Sequence, residues 1–406
     1  MRRWINMRAV LKFGGSSVQN IEFMKRVAKT IIEKKNTYDE MVVVLSAMGK
    51  TTNQLIQMAK DVTKYPNKRD VDLLISTGEV VSIALLSIML NDMGYPSIAL
   101  TGEKAGIHTK GTHTKNKISD IDTRRIEAHI TAGNIVIVAG FQGFNEQGEV
   151  TTLGRGGSDT TAIALAAKLG SVCEIYTDVS GIYGVDPRLF QQAKKLTEID
   201  YEEMKEMAFL GANVMEPRSI DIALNYGVTV YVTSVSNPLE GTYIKEYKQT
   251  MEDKKITGIA VTDKVVMVSI RRIPYSTKIA AELFKELALN EVNIDVINQN
   301  PSVGGFVNIA FTAHADDLDA VNEVLDKFET NNPSIQILKV NDVVKVSIVG
   351  SAMRSQSGIA AEVFELFANN DLEVKLVTTS EISISYTFDR KYKNRVVEVL
   401  ANHFNV

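Results

Sequence analysis

Three short stretches of this chain combine the residue types that handle anions. Lys12, Phe13, Gly14, Gly15, Ser16 and Ser17 end an apolar run and precede a helical pattern that begins near Asn20. Consecutive glycines let backbone N–H groups approach an anion closely, a helix N-terminus adds favourable dipole charge, and Lys12 supplies a point charge. The same residues fit a tight turn with an exposed lysine equally well. In the second stretch Gly154, Gly156 and Gly157 precede a clear helix, with Arg155, Ser158 and Asp159 at its entry. Ser158 or Asp159 alone would read as a helix cap. Arg155 shifts the balance, because a guanidinium beside bare backbone offers a planar fork of donors to a carboxylate or phosphate. The third stretch runs from Thr177 to Arg188 and follows an apolar strand at its C-terminal end, where open α/β sheets place ligands, so it suits a nucleotide contact.

Other patterns fail on inspection. Met48 to Thr51 reads MGKT, the end of a Walker A loop, but Val44 stands where its first glycine belongs. A dinucleotide fingerprint starting at Gly154 and Gly156 would need glycine where Asp159 stands. His108 and His113 lie in the polar stretch IHTKGTHTK without a matched carboxylate, which favours a solvated loop over a zinc site. Cys173 is the only cysteine, so neither a disulfide framework nor a thiolate metal cluster is available, and a reducing cytosol fits. No metal cage is expected from the side chains alone.

The elements that must position these stretches follow from periodicity. Between Val10 and about Ser234, the runs AVLKF, MVVVLSAM, PSIAL, NIVIVAG, VCEIYT and VTVYVTS alternate with amphipathic helical patterns. Nearly continuous apolar runs of strand length belong to a mostly parallel sheet covered by helices on both faces, hence one α/β domain. FQGFNEQGEVTTL predicts a hairpin laid across the sheet end. The segment Val80 to Leu90 is too short to span a membrane, which takes roughly 20 residues, and reads as a buried helix. A polar linker around Asn237 to Asp253 follows, and then a repeat. Ile279, Ala280, Ala281, Glu282 and Phe284 recur as Ile359, Ala360, Ala361, Glu362 and Phe364, which predicts two small ferredoxin-like α+β modules.

Bulk numbers set the frame. A length of 406 residues favours two or three domains, and the ordinary composition predicts a chain folded throughout. A formal net charge of -4 gives no basic field for a nucleic acid. MRRWINMRAV is not followed by the apolar stretch of a secretory signal, and translation starting at Met7 is compatible with it.

KFGGSSV, the SAM at Ser46, the STGE ending at Glu79, GRGGSDTTA and TDVSGIYGVDPR occur in that order. Together they closely resemble the aspartate kinase branch of the amino acid kinase family, and the C-terminal repeats resemble the ACT modules of that branch. The resemblance implies a catalytic domain over 8–245, a first ACT module over 260–340 and a second over 341–406. It implies ATP-dependent phosphorylation of the aspartate side chain, the first step toward lysine, threonine and methionine, with Mg²⁺ bridging the phosphates. It makes Lys12 and Asp159 catalytic, with Asp159 organising Lys12. It puts Phe13, Gly14, Gly15, Ser46, Ser158, Thr177, Asp178, Tyr183, Asp186 and Arg188 beside ATP. It assigns Ser46, Thr51, Glu79, Arg155, Gly156, Gly157 and Ser158 to aspartate, with Glu79 receiving the ammonium and Arg155 the α-carboxylate. Two departures stand out. Gly211 and Ala212 are followed by Asn213 where many relatives have a lysine, and Ser276, Thr277 and Lys278 stand where a glycine is common, kept as Gly358 in the second copy.

Regulation follows from the same likeness. Unpaired N–H groups at the start of the helix near Ser276 and Ile279 suit an effector carboxylate. Asn293, Ile294, Asp295 and Gln299 resemble the effector-contacting strand of lysine-sensitive relatives, and Asp295 fits either an ammonium partner or a solvated strand-edge carboxylate. Lysine is favoured over threonine as effector. A homodimer or higher assembly through the ACT modules and a cytoplasmic location are expected. Kinases of glutamate-type acids are a weaker fit, since Glu79 answers a free ammonium and they lack the tail. An amino-acid-binding regulatory subunit with a weakened kinase domain is the alternative of another class, motivated by Asn213.

Overall fold

The computed structural model describes residues 7–212, 214–246 and 255–406, and Asn213 with much of the linker lies outside them. Their contacts divide into two units: 7–183, 195–209 and 214–246 form one, and 184–194, 210–212 and 255–406 form the other.

The first unit starts with β1 (Arg8–Phe13), α1 (Ile21–Lys34), β2 (Glu40–Leu45), α2 (Thr51–Val62), α3 (Lys68–Asp92) and β3 (Ser97–Leu100). It continues with β4 (Ile107–Lys110), β5 (Lys117–Ile121), α4 (Arg124–Thr131), β6 (Ile135–Ala139), β7 (Gln142–Phe144) and β8 (Val150–Thr152). α5 (Gly157–Leu169), β9 (Val172–Thr177), β10 (Glu198–Ile199), α6 (Tyr201–Phe209), α7 (Pro217–Tyr226), β11 (Val230–Ser234) and β12 (Thr242–Ile244) complete it. Eight strands form one sheet in the order β10-β12-β11-β9-β1-β2-β6-β3. Its pairings are parallel except that of β11 with β12. β12 falls inside the stretch expected to be linker.

Side chains alternate along β1, and this sorts core from chemistry. Ala9, Leu11 and Phe13 join a buried cluster with Met24, Val27 and Ile31 of α1 and Ile83 and Leu86 of α3. Lys12 points the other way, toward α5. α5 is rich in alanine and buried over most of its surface, as a helix enclosed in the protein must be.

The hairpin belongs to a second, four-stranded sheet in the order β5-β4-β7-β8. The stretch expected as a solvated loop therefore contributes β4, whose Ile107 and Thr109 are buried while Lys110 is exposed. α3 differs from the buried helix expected: one side is enclosed and the other is open to solvent.

The second unit contains β13 (Gly258–Pro274), α8 (Thr277–Leu289), β14 (Ile294–Gln299), β15 (Phe306–His314), α9 (Leu318–Asn331) and β16 (Gln336–Val349). α10 (Ile359–Ala368), β17 (Leu376–Thr379), β18 (Ser383–Asp389) and α11 (Lys393–Phe404) follow. One six-stranded sheet, β14-β15-β13-β16-β18-β17, is antiparallel throughout. β13 and β16 run through two cores. Val266, Val268 and Ile270 pack with α8 and α9, whereas Ile256 and Ile259 pack with Val346, Ile348, Phe367 and Leu400.

Candidate active site

The first unit encloses a cavity of about 610 Å³ lined by Lys12, Gly15, Ser46, Glu79, Arg155, Gly156, Gly157, Ser158 and Asp159, among others. Sequence positions far apart thus meet at one place. β1 delivers Lys12 and the glycines, β2 ends one residue before Ser46, α3 carries Glu79, and α5 opens with Gly157, Ser158 and Asp159.

Local geometry explains the residue types. A Cβ on Gly15 would sit 2.8 Å from the Ala47 carbonyl oxygen, so no larger residue fits where that turn closes on the loop after β2. Gly156 has φ 63°, and a Cβ there would lie 2.4 Å from Cβ of Glu216. Glycine answers both the left-handed backbone and the close neighbour. Gly156 occupies the cap position of α5 without a side-chain bond, so neither Ser158 nor Asp159 acts as a cap. A short 3-10 turn, Gly15–Val18, separates the first glycine loop from α1, whose cap is Asn20 accepting from the Phe23 N–H.

The charges are arranged unequally. Lys12 Nζ and Asp159 Oδ1 are 2.6 Å apart with side chains 9% and 13% exposed, so the cation is held in place beside the cavity. Glu79 is 2% exposed, and its Oε1 accepts from the Ala47 N–H at 3.1 Å. Its Oε2 is buried without a hydrogen-bond partner. Burial pushes this carboxyl up to about 8, against the opposing hydrogen bonds from backbone N–H groups. Arg155 is exposed, lines the cavity and makes no hydrogen bond or ion pair among the described residues. A buried carboxyl with one unsatisfied oxygen and a cation that makes no hydrogen bond among the described residues thus face the same space. That combination can receive a zwitterion, while Lys12 adds charge for a phosphoryl group.

Several supporting residues carry no recognisable sequence signal. Asp72, fully buried on α3, accepts from the Thr114 N–H at 3.0 Å and from Thr152 Oγ1, and it meets His113 Nδ1 at 2.7 Å. His113 Nε2 lies 3.4 Å from Glu149. His113 is therefore held by contacts with two carboxylates and not in a solvated loop, and His108 packs against the Phe144 ring at a tilt. Arg218 donates to the carbonyls of Leu153 and Asn116 and braces the strand that leads into the glycine loop. Burial raises the Glu216 carboxyl against the pull of Arg218 and Arg155.

The remaining expected residues are distributed more widely. Thr51 Oγ1 donates to the Met48 carbonyl at 2.6 Å, and its neighbours Thr52 and Asn53 face the cavity. Thr177 and Asp178 line a second cavity of about 580 Å³ with Ser16, Ser17, Arg26 and Ser234. The Tyr183 hydroxyl pairs with Ser180 Oγ. Asp186 and Arg188 belong to the second unit, where they pair at 2.7 Å and Arg188 holds the Asp186 carboxyl below its usual range. Among the effector candidates, Ser276 caps α8 by accepting from the Lys278 N–H, and Ile279 and Ile294 pack against the first core of that unit. Asn293 and Gln299 are exposed, and Asp295 forms an ion pair with the buried Lys345.

The pattern of the amino acid kinase family matches residues 7–234, and that of the ACT domain matches residues 346–404. The chain is 44% identical to the aspartokinase of Geobacillus stearothermophilus and 42% identical to that of Bacillus sp. (strain MGA3). In both cases the likeness covers 98% of this chain and 97% of the relative. In fold it resembles aspartokinase III of E. coli, solved with aspartate and ADP, with a TM-score of 0.81 at 23% identity over 98% of this chain and 100% of that one.

Proposed function

The chain belongs to the aspartokinases of the amino acid kinase family, and from that premise we propose how its own residues move the γ-phosphoryl of ATP to the side-chain carboxylate of aspartate. The observation that carries the reading is the pair of unsatisfied groups, Glu79 Oε2 and Arg155, on one cavity with Lys12. Glu79 takes the α-ammonium and Arg155 the α-carboxylate, which leaves the side-chain carboxylate free to be directed at Lys12. One of its oxygens attacks the γ-phosphorus, the bond to the β-phosphate oxygen breaks, and ADP leaves with the electron pair. The product is 4-phospho-L-aspartate, and no covalent enzyme intermediate is required. Lys12, held by Asp159, neutralises charge on the phosphoryl group in transit. Gly14, Gly15, Ser46 and Ser158 donate to phosphate oxygens, with Phe13, Thr177, Asp178 and Tyr183 on the nucleotide side.

Mg²⁺ comes with the nucleotide and supplies charge neutralisation across its phosphates. Such ions keep several waters and few protein carboxylates, which fits the lack of any group of three or more potential metal-ligating side chains among the described residues. Residues 8–245 act as the catalytic domain, and 260–340 and 341–406 as a tandem of regulatory ACT modules serving the pathway to lysine, threonine and methionine. Lysine is the favoured effector, bound near Ser276 and Asp295, in a cytoplasmic homo-oligomer. The test is an assay with ATP, Mg²⁺ and aspartate in which hydroxylamine traps the acyl phosphate. Hydroxamate from aspartate is expected; hydroxamate from glutamate but none from aspartate overturns the reading.

A further inference from the structure

No hydrogen bond or ion pair among the described residues fixes the direction of the Arg155 guanidinium, which leaves the backbone beneath it to do so. That backbone is a tight turn between two left-handed glycines, Gly154 at φ 78° and Gly156 at φ 63°, closed by the Gly157 N–H donating to the Gly154 carbonyl at 3.1 Å. Glycine is the most pliable residue, so a turn built on two of them keeps one shape only where its surroundings enforce it. Glu216 stands against Gly156 on one side. On the other, a Cβ on Gly154 would lie 3.1 Å from the Thr114 carbonyl oxygen, so the turn after β4 forms the second wall.

Thr114 is an improbable residue for that wall. Its φ is 71°, a region that a β-branched residue leaves unless other groups hold it there. Asp72 supplies the hold. The Thr114 N–H donates to both oxygens of this carboxylate, at 3.0 and 3.1 Å, and Thr152, two residues before Gly154, donates its hydroxyl to the same group. The Thr152 carbonyl accepts in turn from the Asn116 N–H at 3.0 Å, so turn and strand are tied to each other as well as to α3. Asp72 is fully buried, and while Val71 and Ile75 line the cavity, Asp72 does not. A buried carboxylate is costly to a fold and is kept only with its donors in place. We propose that Asp72 is a positioning residue for substrate recognition: by pinning Thr114 and Thr152 it holds Gly154, and through it aims Arg155 at the α-carboxylate of aspartate. Selection for that carboxylate then depends on a side chain that never touches the substrate. The inference rests on the assignment of the α-carboxylate to Arg155, and the test separates the two.

Steady-state kinetics of the full chain provide it. Arg155→Ala should raise KM for aspartate, which checks the assignment by itself. Asp72→Ala should raise the same KM on the order of tenfold, with KM for ATP unmoved and kcat at saturation within about threefold of wild type. Asp72→Asn keeps an acceptor for the Thr114 N–H and the Thr152 hydroxyl and should restore KM. Two competitive inhibitors distinguish positioning from general damage, since succinate keeps both carboxylates without the ammonium, and β-alanine keeps the ammonium without the α-carboxylate. Asp72→Ala should weaken succinate as much as aspartate and leave β-alanine unchanged. Added to Arg155→Ala, it should have no further effect on KM. If Asp72→Ala does not fold, Thr114→Pro at the half-exposed turn should give the same pattern, because proline has no N–H and cannot take a positive φ. A folded variant of either kind with unchanged KM for aspartate, beside an Arg155→Ala with a raised one, overturns the inference and leaves the assignment standing. Equal weakening of succinate and β-alanine also overturns it. An unchanged KM in Arg155→Ala overturns both.

Discussion

Two groups in the catalytic cavity and several charged side chains of the second unit have opposite fates. In the cavity, beside the paired Lys12 and Asp159, Glu79 keeps a buried oxygen without a partner and Arg155 makes no hydrogen bond or ion pair among the described residues. In the second unit, Asp295 is held by Lys345, Asp186 by Arg188, and Glu362 by both Lys255 and His403. Buried or clustered charge is ordinarily satisfied within the fold. Where it is left open, the missing partner comes from outside, so the contrast separates a place built to receive a zwitterion from a place stabilised by its own ion pairs.

Breaking the cavity side should produce the largest effect. Lys12→Met is expected to lower kcat by roughly 10²- to 10³-fold, the scale of losing one donor aimed at transition-state charge, while KM for aspartate changes far less. Steady-state kinetics with both substrates varied checks this, and an unchanged kcat removes Lys12 from the chemistry. Glu79→Ala should instead raise KM for aspartate on the order of tenfold or more, because the ammonium is present in ground and transition states alike. A collapse of ATP binding with aspartate KM unmoved would assign Glu79 to the other substrate.

The raised Glu79 carboxyl predicts a pH profile. With its ionisation displaced to about 8 by burial, the free enzyme carries the neutral acid below that pH, and an ammonium needs the carboxylate. Apparent affinity for aspartate should fall by about tenfold for each unit of decrease below pH 8 and level off above it. The dependence should vanish in Glu79→Gln, and its persistence there would trace it to another group.

The second unit sharpens the comparison more gently. Asp295→Ala leaves Lys345 buried without its anion, so a drop in the unfolding temperature is expected, less severe in Asp295→Asn. If lysine binds as proposed, Asp295→Asn also raises the lysine concentration for half-inhibition at least roughly tenfold, while kcat without lysine changes little. A stable Asp295→Asn protein inhibited identically to wild type assigns the carboxylate to the ion pair alone. Smallest of all, Arg188→Ala at the exposed Asp186 pair should change stability by no more than about 1 kcal/mol. A clear rise in KM for ATP would show that Arg188 meets the nucleotide.

Much of the catalytic sheet was legible because apolar runs of strand length are hard to place elsewhere, and the glycine clusters announced their turns. β4 was not, since IHTK is short and polar and becomes a strand only by pairing with β5 and the hairpin. His113 was misread for a related reason: its partner Asp72 lies 41 residues away on α3, a distance no local pattern reports. The repeat gave no sign that β13 and β16 serve two cores, because hydrophobic periodicity is silent on which layer a strand joins. Glu79 could be marked by its motif, yet its empty oxygen is a property of burial alone.

The threading of β13 also sets an order of events during synthesis. Val185, Ile256 and Ile259 pack in one core with Val396, Val397 and Leu400 of α11, more than 130 residues later in the chain. The segment that forms the core around Val268 and Phe311 thus lies between chain stretches that share the other core, and it can condense while the other waits. β16 can pair with the leading half of β13 before α11 is made, but the apolar face that Ile259 turns toward this core stays uncovered until α11 emerges from the ribosome. Aggregation of chains terminated before α11 should begin at that face.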